Sequence, residues 1–274
     1  MEQKYTSSED YSNQLIKTTK ELSSHESNIS KNTNLNHQIK KDSDISYNLS
    51  KEYKDIFSKL INKLEPDIIS TIYGPSGCGK TLSCMSLCLN VISKGGKVIY
   101  IDTEGGFSIE RFKQIAGNDF EKYLEKIIFL KPTTFNEQKI IIESLKDNIT
   151  DHHKHIKLII VDSIAMLYRL ELGKNNEVYE SNRELGSQVL NLSKISRTMN
   201  IPIVITNQVY SNMDKGVKMV GGDSLIYMSK CLIELKKGHE GIRKAILKRH
   251  RSIQENKEIT FKIIQSGFDF LSYK

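Results

Sequence analysis

The chain predicts an α/β fold: a mostly parallel, twisted sheet with helices on both faces and an antiparallel C-terminal extension. Three observations carry this. A glycine-rich loop, G-x-x-x-x-G-K-T from Gly74 through Thr81, stands between an apolar run at 68–73 and an amphipathic stretch behind it. Strand-like and helix-like runs then alternate as far as Thr206, the pattern of crossovers between parallel strands. Beyond Lys230, three strand-like runs follow one another with too little chain between them for crossover helices, which argues antiparallel pairing.

Residues 1–50 stand apart from this. They are crowded with Ser, Asn, Lys, Glu and Asp, show no sustained period, and hold too few apolar side chains to offset the entropy of ordering them. The expectation is a disordered tail, with a transient helix or a partner-docking peptide as the other reading. Residues 51–274 read as one domain, large enough to bury a full core without staples. At 51–64, Tyr53, Ile56, Phe57, Leu60, Ile61 and Leu64 recur at helical spacing until Pro66 closes the run. Ile68–Tyr73 is a strand, and 80–93 is a helix with Leu82, Met85, Leu89 and Ile92 on one face.

Lys97–Asp102 is the next strand. Ser108 is a helix N-cap, with Glu110 favourable in the first turn of a helix reaching about Ile115. A strand at 126–130 is stopped by Pro132, and a helix covers 135–147. Ile156–Asp162 is the most strongly apolar strand. A long helix at 177–199 gathers Leu185, Val189, Leu192 and Met199, and 201–206 is a strand. The C-terminal strands are placed at 230–236, 242–248 and 258–264.

Composition narrows the class. The formal charge of +7 favours a polyanionic partner, although a general lysine bias would give the same number. Four cysteines, Cys78, Cys84, Cys88 and Cys231, have neither zinc nor disulfide spacing and read as buried fillers in a reducing compartment. A reactive role for Cys78, inside the loop, is the alternative. No apolar run approaches the length of a membrane span, and the first twenty residues have no signal core, so a soluble cytoplasmic protein is expected.

The loop residues Gly74, Pro75, Ser76, Gly77, Cys78, Gly79, Lys80 and Thr81 are the candidate nucleotide cradle. Glycines let backbone N–H groups curl round phosphate oxygens, and the helix that follows aims its partial positive charge at them. Lys80 would reach the β- and γ-phosphates and Thr81 would offer its hydroxyl to Mg²⁺. In such a sheet the working groups gather at the carboxyl ends of strands. Asp162 ends an apolar strand as a Mg²⁺ carboxylate would, or else caps a turn. Glu104, just beyond Asp102, is placed to activate a water, or else is a solvated glutamate. Asn207 and Gln208 open a loop in which an amide can read a γ-phosphate, or else are turn amides.

Two loops are candidates for contact with nucleic acid. One, 169–176, contributes Arg169 and Lys174; the other, 209–222, contributes Tyr210, Lys215 and Lys218. Basic side chains beside an aromatic suit a phosphate backbone and unstacked bases, and solvated loop lysines look the same. The basic run Lys248, Arg249, His250 and Arg251 either touches nucleotide on a neighbouring subunit or lies in water. His152, His153 and His155, without ligand partners at metal spacing, read as a polar turn.

VIYIDTEGGFSIERF (98–112), ITNQVY and the later VGGDSL, taken with GPSGCGKT and LIIVDS, resemble RecA-like recombinases of the eukaryotic and archaeal type from about Phe57 to Phe270. The resemblance implies a RecA-like P-loop ATPase core that takes ATP and Mg²⁺, with Lys80 and Thr81 on phosphate and metal, Glu104 as the water-activating base and Asp162 as the Walker B carboxylate. It also implies Arg111 stacked on adenine and Gln208 as γ-phosphate sensor. The chain departs from the full recombinases in having no helix-hairpin-helix domain before the core, no F-x-x-A oligomerisation peptide, a short 207–221 loop, and LKRHRS (247–252) where they carry an acidic, proline-bearing cap. These departures resemble an archaeal recombinase paralogue. That second resemblance implies an ATP-dependent DNA-binding accessory protein of DNA repair and homologous recombination, a weak ATPase without strong strand exchange, preferring single-stranded DNA and acting beside a Holliday-junction resolvase or a recombinase. A filament-forming strand-exchange recombinase and a RecA-like signalling ATPase acting on protein partners remain as alternatives.

Overall fold

Each central strand is apolar on both faces, and each face is buried against a different set of helices. In β1 (Ile69–Tyr73) Ile69 belongs to one core and Ile72 to the other; in β2 (Lys97–Asp102) Ile99 and Ile101 face one way, Val98 and Tyr100 the other. The alternation repeats in β4 (Ile156–Asp162), where Leu158 and Ile160 oppose Ile159 and Val161. A period of two with both sets buried is what a sheet covered on both sides requires. The computed structural model describes residues 53–149, 155–172, 178–212, 216–221 and 223–273. The expectations for the 1–50 tail and for His152, His153, Lys174 and Lys215 lie outside the described residues.

Among the described residues, nine strands form one sheet in the order β11-β10-β9-β8-β1-β5-β4-β2-β3, and a separate hairpin pairs β6 with β7. Here β3 is Ile127–Leu130, β5 Ile203–Asn207, β6 Val209–Asn212, β7 Gly216–Met219, β8 Cys231–Lys237, β9 Ile242–Arg249, β10 Glu258–Ile264 and β11 Gly267–Tyr273. The pairs β1/β5, β1/β8, β2/β3, β2/β4 and β4/β5 are parallel, and β8 to β11 continue antiparallel. The fold is therefore α/β with a mostly parallel sheet and an antiparallel C-terminal extension, as the sequence predicts. The parallel block brings the carboxyl ends of β1, β2, β4, β5 and β8 to one edge.

The helices are α1 (Ile56–Ile61), α2 (Lys80–Ile92), α3 (Ile109–Ala116), α4 (Phe120–Leu124), α5 (Phe135–Asn148), α6 (Met166–Leu172), α7 (Val178–Met199) and α8 (Asp223–Met228). Helices α1 to α3 pack on one face with the C-terminal strands, and α5 to α8 cover the other. As expected, Ser108 caps α3 by accepting from the Arg111 N–H at 3.2 Å, with Glu110 in the first turn.

The first helix is shorter than its periodicity suggests. Both backbone groups of Tyr53 are taken by the side chain of Asn90 on α2, at 2.8 and 2.6 Å, which holds that residue outside the helix. Asp55 then caps, its carboxylate accepting from the Ser58 N–H at 2.8 Å, and Asn62 ends the helix at φ 60°. A second difference is at 169–172, expected in a loop. Leu167 and Tyr168 are buried, and anchoring them winds Met166–Leu172 into α6, so Arg169 is a helical residue.

Candidate active site

The candidate phosphate loop leaves β1 at Tyr73 and is fixed at once. The Gly74 N–H donates to the Asn207 carbonyl on β5 at 3.3 Å, and a side chain at Gly74 would place its Cβ 2.4 Å from the Leu235 carbonyl oxygen of β8. Backbone on one side and backbone on the other leave room only for glycine. Gly79 then adopts φ 108° as the N-cap of α2 without a side-chain cap, so the first N–H groups of that helix keep their donors for a ligand. Lys80 is buried, its ammonium donating to the carbonyls of Gly74 at 3.0 Å and Pro75 at 3.1 Å. Ser76 and Gly77 are exposed. Cys78 turns inward, and burial raises its thiol above the ordinary range, which suits a filler and not a nucleophile.

Asp162 ends β4 in the adjacent part of the edge. Its carboxylate is buried and accepts from the hydroxyls of Tyr100 at 2.8 Å and Thr206 at 2.5 Å, and from Thr81. Burial pushes its pKa up, the three hydroxyls oppose that, and the negative charge of Glu104 adds to it. A buried carboxylate held by neutral hydroxyls and facing a second carboxylate gains from a divalent cation. The residues present therefore fit Mg²⁺, which Thr81 and Asp162 would hold.

Glu104 is carried outward by a tight turn. Asp102 accepts from the N–H groups of Gly106 at 3.1 Å and Phe107 at 3.2 Å, while Thr103 and Ser163 exchange two bonds at 2.7 and 2.9 Å that tie the ends of β2 and β4 together. Gln208, one residue beyond β5, donates from Nε2 to Glu104 Oε1 at 2.9 Å, and its Oε1 accepts from Arg169 Nη1 at 2.6 Å. The chain thus brings Lys80, Thr81, Glu104, Asp162 and Gln208 to one edge. Arg169 joins them, although the sequence placed it with the nucleic-acid candidates.

Arg111 lies on α3 beside the β10–β11 turn. Its guanidinium donates to the carbonyls of Ile264 at 2.6 Å and Gln265 at 2.8 Å, fastening α3 to the β10–β11 turn, and burial lowers its pKa. That hairpin reaches the loop, since a Cβ on Gly79 would meet Ile263 at 3.1 Å. Tyr210 is exposed on β6 and has Lys218 of β7 as its register partner. The basic run behaves structurally within this chain. Arg251 pairs with Glu65 and with Asp67 at 3.1 Å, Arg249 donates to the Ile226 carbonyl at 2.8 Å, and His250 is buried beside Glu65. All of this lies at the amino end of β1, opposite the phosphate loop.

Two cations at the loop escaped the sequence reading. Lys237, the last residue of β8, brings its ammonium to 3.3 Å from where a Gly77 Cβ would stand, and Arg243 on β9 donates to the Gly77 carbonyl from two nitrogens at 3.4 Å. They are register partners across the β8–β9 hairpin. The only sequence signal was the basic KKG turn entering that hairpin, and its proximity to the loop depends on β8 pairing with β1.

A model of the Rad51 family matches residues 48–270, most of the chain. The chain belongs to the Rad51 family. Curated relatives of this Rad51-family chain include proteins named DNA repair and recombination protein RadB. That of Methanobrevibacter smithii is 44% identical over 209 residues, covering 74% of this chain and 88% of the relative. That of Methanococcus maripaludis strain C7 is 43% identical over 221 residues, covering 79% and 99%. That of Methanocaldococcus jannaschii is 42% identical over 213 residues, covering 77% and 97%. A solved structure, described as the RadB recombinase, superposes with a TM-score of 0.67 at 31% identity, covering 82% of this chain and 100% of that one. The family implies a nucleotide and Mg²⁺ as cofactors. Among the described residues, no helix is long and apolar enough to cross a membrane.

Proposed function

We propose that the protein is an ATP-dependent DNA-binding accessory factor of DNA repair and homologous recombination, a weak ATPase whose Gln208 couples nucleotide to DNA. The observation that carries this is the position of Gln208. It touches Glu104 on one side, and its next residue, Val209, begins the β6–β7 hairpin that displays Tyr210. Relatives at 44% and 43% identity that are named for DNA repair and recombination support the reading.

ATP and Mg²⁺, when bound, supply the transferable phosphoryl group and the positive charge that neutralises it. The amides of 77–81 and the Lys80 ammonium would hold the triphosphate, and Asp162 and Thr81 would hold the metal. Glu104 would accept the proton of the attacking water, and Gln208 would pass the state of the site to the hairpin. Weak turnover follows from a carboxylate already engaged by an amide at 2.9 Å. The exposed Tyr210 ring supports single strands as the preferred DNA, because stacking needs unpaired bases.

Titrating a labelled single-stranded oligonucleotide tests the coupling. Affinity is expected to be about tenfold higher with a non-hydrolysable ATP analogue than without nucleotide, a difference of about 1.4 kcal/mol. It should also fall steeply with salt, with a log–log slope of about −0.7 per phosphate neutralised. Equal affinity in both states, or binding indifferent to salt, contradicts the reading.

Lys237→Ala gives an independent check on the loop. Removing a partly solvated charge beside Gly77 is expected to weaken ATP binding about three- to tenfold without affecting folding, the range for one exposed charge-assisted contact. Isothermal titration with ATP and with ADP reads it directly.

A further inference from the structure

The Gln208 amide is held between a donor and an acceptor, and this fixes which way round it stands. Arg169 Nη1 meets its Oε1 at 2.6 Å and Glu104 Oε1 meets its Nε2 at 2.9 Å. A guanidinium can only donate and an ionised carboxylate can only accept, so the amide satisfies both in this orientation and neither in the reverse. The three side chains come from the exits of neighbouring strands: Glu104 after β2, Arg169 on α6 after β4, and Gln208 after β5. Arg169 is exposed, and it lines an open pocket of about 470 Å³ together with Tyr168, Asn182 and Tyr210. A ligand in that pocket reaches the guanidinium without passing through the nucleotide cradle.

We propose that Arg169 is a positioning residue that parks the Gln208 amide on Glu104 and holds the carboxylate idle until a nucleic-acid phosphate in the Tyr210 pocket draws the guanidinium away. This rests on the ATPase reading above and adds its regulation. Parking matters because Glu104 Oε1 already holds an amide hydrogen where hydrolysis requires it to receive one from water. A phosphate oxygen outcompetes the amide oxygen for Arg169 because it is ionised, and charge-assisted pairs with Arg are the stronger and shorter ones. Once Arg169 leaves, the side-chain amide keeps, among the described residues, only its bond to Glu104. Gln208 can then turn from Glu104 to the nucleotide, and the carboxylate is released to accept a proton.

The test compares Arg169→Met, which keeps the stem and removes the donors, with Arg169→Lys, which retains a charged donor. In Arg169→Met, kcat for ATP hydrolysis without DNA is expected to rise about tenfold with KM changed less than twofold, and a single-stranded oligonucleotide should no longer stimulate; Arg169→Lys should restore most of the parent behaviour. A second readout needs no nucleotide. The side-chain amide resonances of Gln208, assigned by their loss in Gln208→Met, should move when oligonucleotide is added to the parent and should already be displaced in Arg169→Met. Unmoved amide resonances, an unchanged or lower kcat, or a many-fold rise in KM alone would each overturn the parking role, the last by making Arg169 a nucleotide ligand. Failure of the ATPase reading shows separately, as a parent protein giving no heat with ATP and Mg²⁺.

Discussion

Lys80→Ala abolishes ATP binding at concentrations that saturate the parent, an expected loss of more than about a hundredfold in affinity, and leaves the protein folded. The size of the loss comes from what the ammonium does. Each charge-assisted bond to a phosphate oxygen is worth about 1.5–3 kcal/mol, and a lysine at this point of the loop addresses two phosphates. The modest effect on folding comes from its role without ligand: it bridges the Gly74 and Pro75 carbonyls at 3.0 and 3.1 Å. The Pro75 contact is only part-buried, so water can replace the donor there, whereas the Gly74 contact is buried, so the variant should lose about 1–2 kcal/mol, or about 2–8 °C in Tm. Calorimetry and thermal unfolding on one preparation separate the two effects. A folded Lys80→Ala protein that binds ATP with parental affinity would remove the role given to this lysine.

The parts of the site that were legible in sequence are those whose geometry is local. Gly74 to Thr81 must form its loop because the glycines and the following helix are adjacent in the chain, and Asp162 must stand at the sheet edge because a buried strand ends there. What escaped depends on partners far away in sequence. Lys237 and Arg243 reach Gly77 only because β8 pairs with β1. Tyr53 matches a helical pattern, and Asn90 overrides it. Helix α6 is too short for a period to declare itself, so Arg169 was read as a loop cation and its contact with Gln208 was invisible. The final strand, β11, also went unread, since GFDFLSY half-alternates and has a single neighbour in the sheet.

Asp162→Asn is expected to make the nucleotide-free protein more stable and hydrolysis at least about a hundredfold slower, the two effects having one cause. The carboxylate is buried among the hydroxyls of Tyr100, Thr206 and Thr81, neutral dipoles that only partly replace its hydration. An asparagine keeps the shape and can re-partner those hydroxyls, since each both donates and accepts. The penalty of a buried charge disappears, so a gain of about 1–2 kcal/mol is expected, or roughly 2–6 °C in Tm. The sign with pH is set by linkage. Burial raises the folded-state pKa of Asp162 above its unfolded value, so its stabilising contribution is fully present below the unfolded value and is lost as pH rises through the folded one. The two proteins should therefore be equally stable in acid and diverge toward neutrality, the asparagine variant lying above. Adding ATP and Mg²⁺ should reverse the order, because ligand stabilisation scales with affinity and the variant has given up the charge that holds the cation. An Asp162→Asn protein less stable than its parent at neutral pH without nucleotide would show that the carboxylate is a net structural asset, and the case for a cation at that position would lose its physical basis.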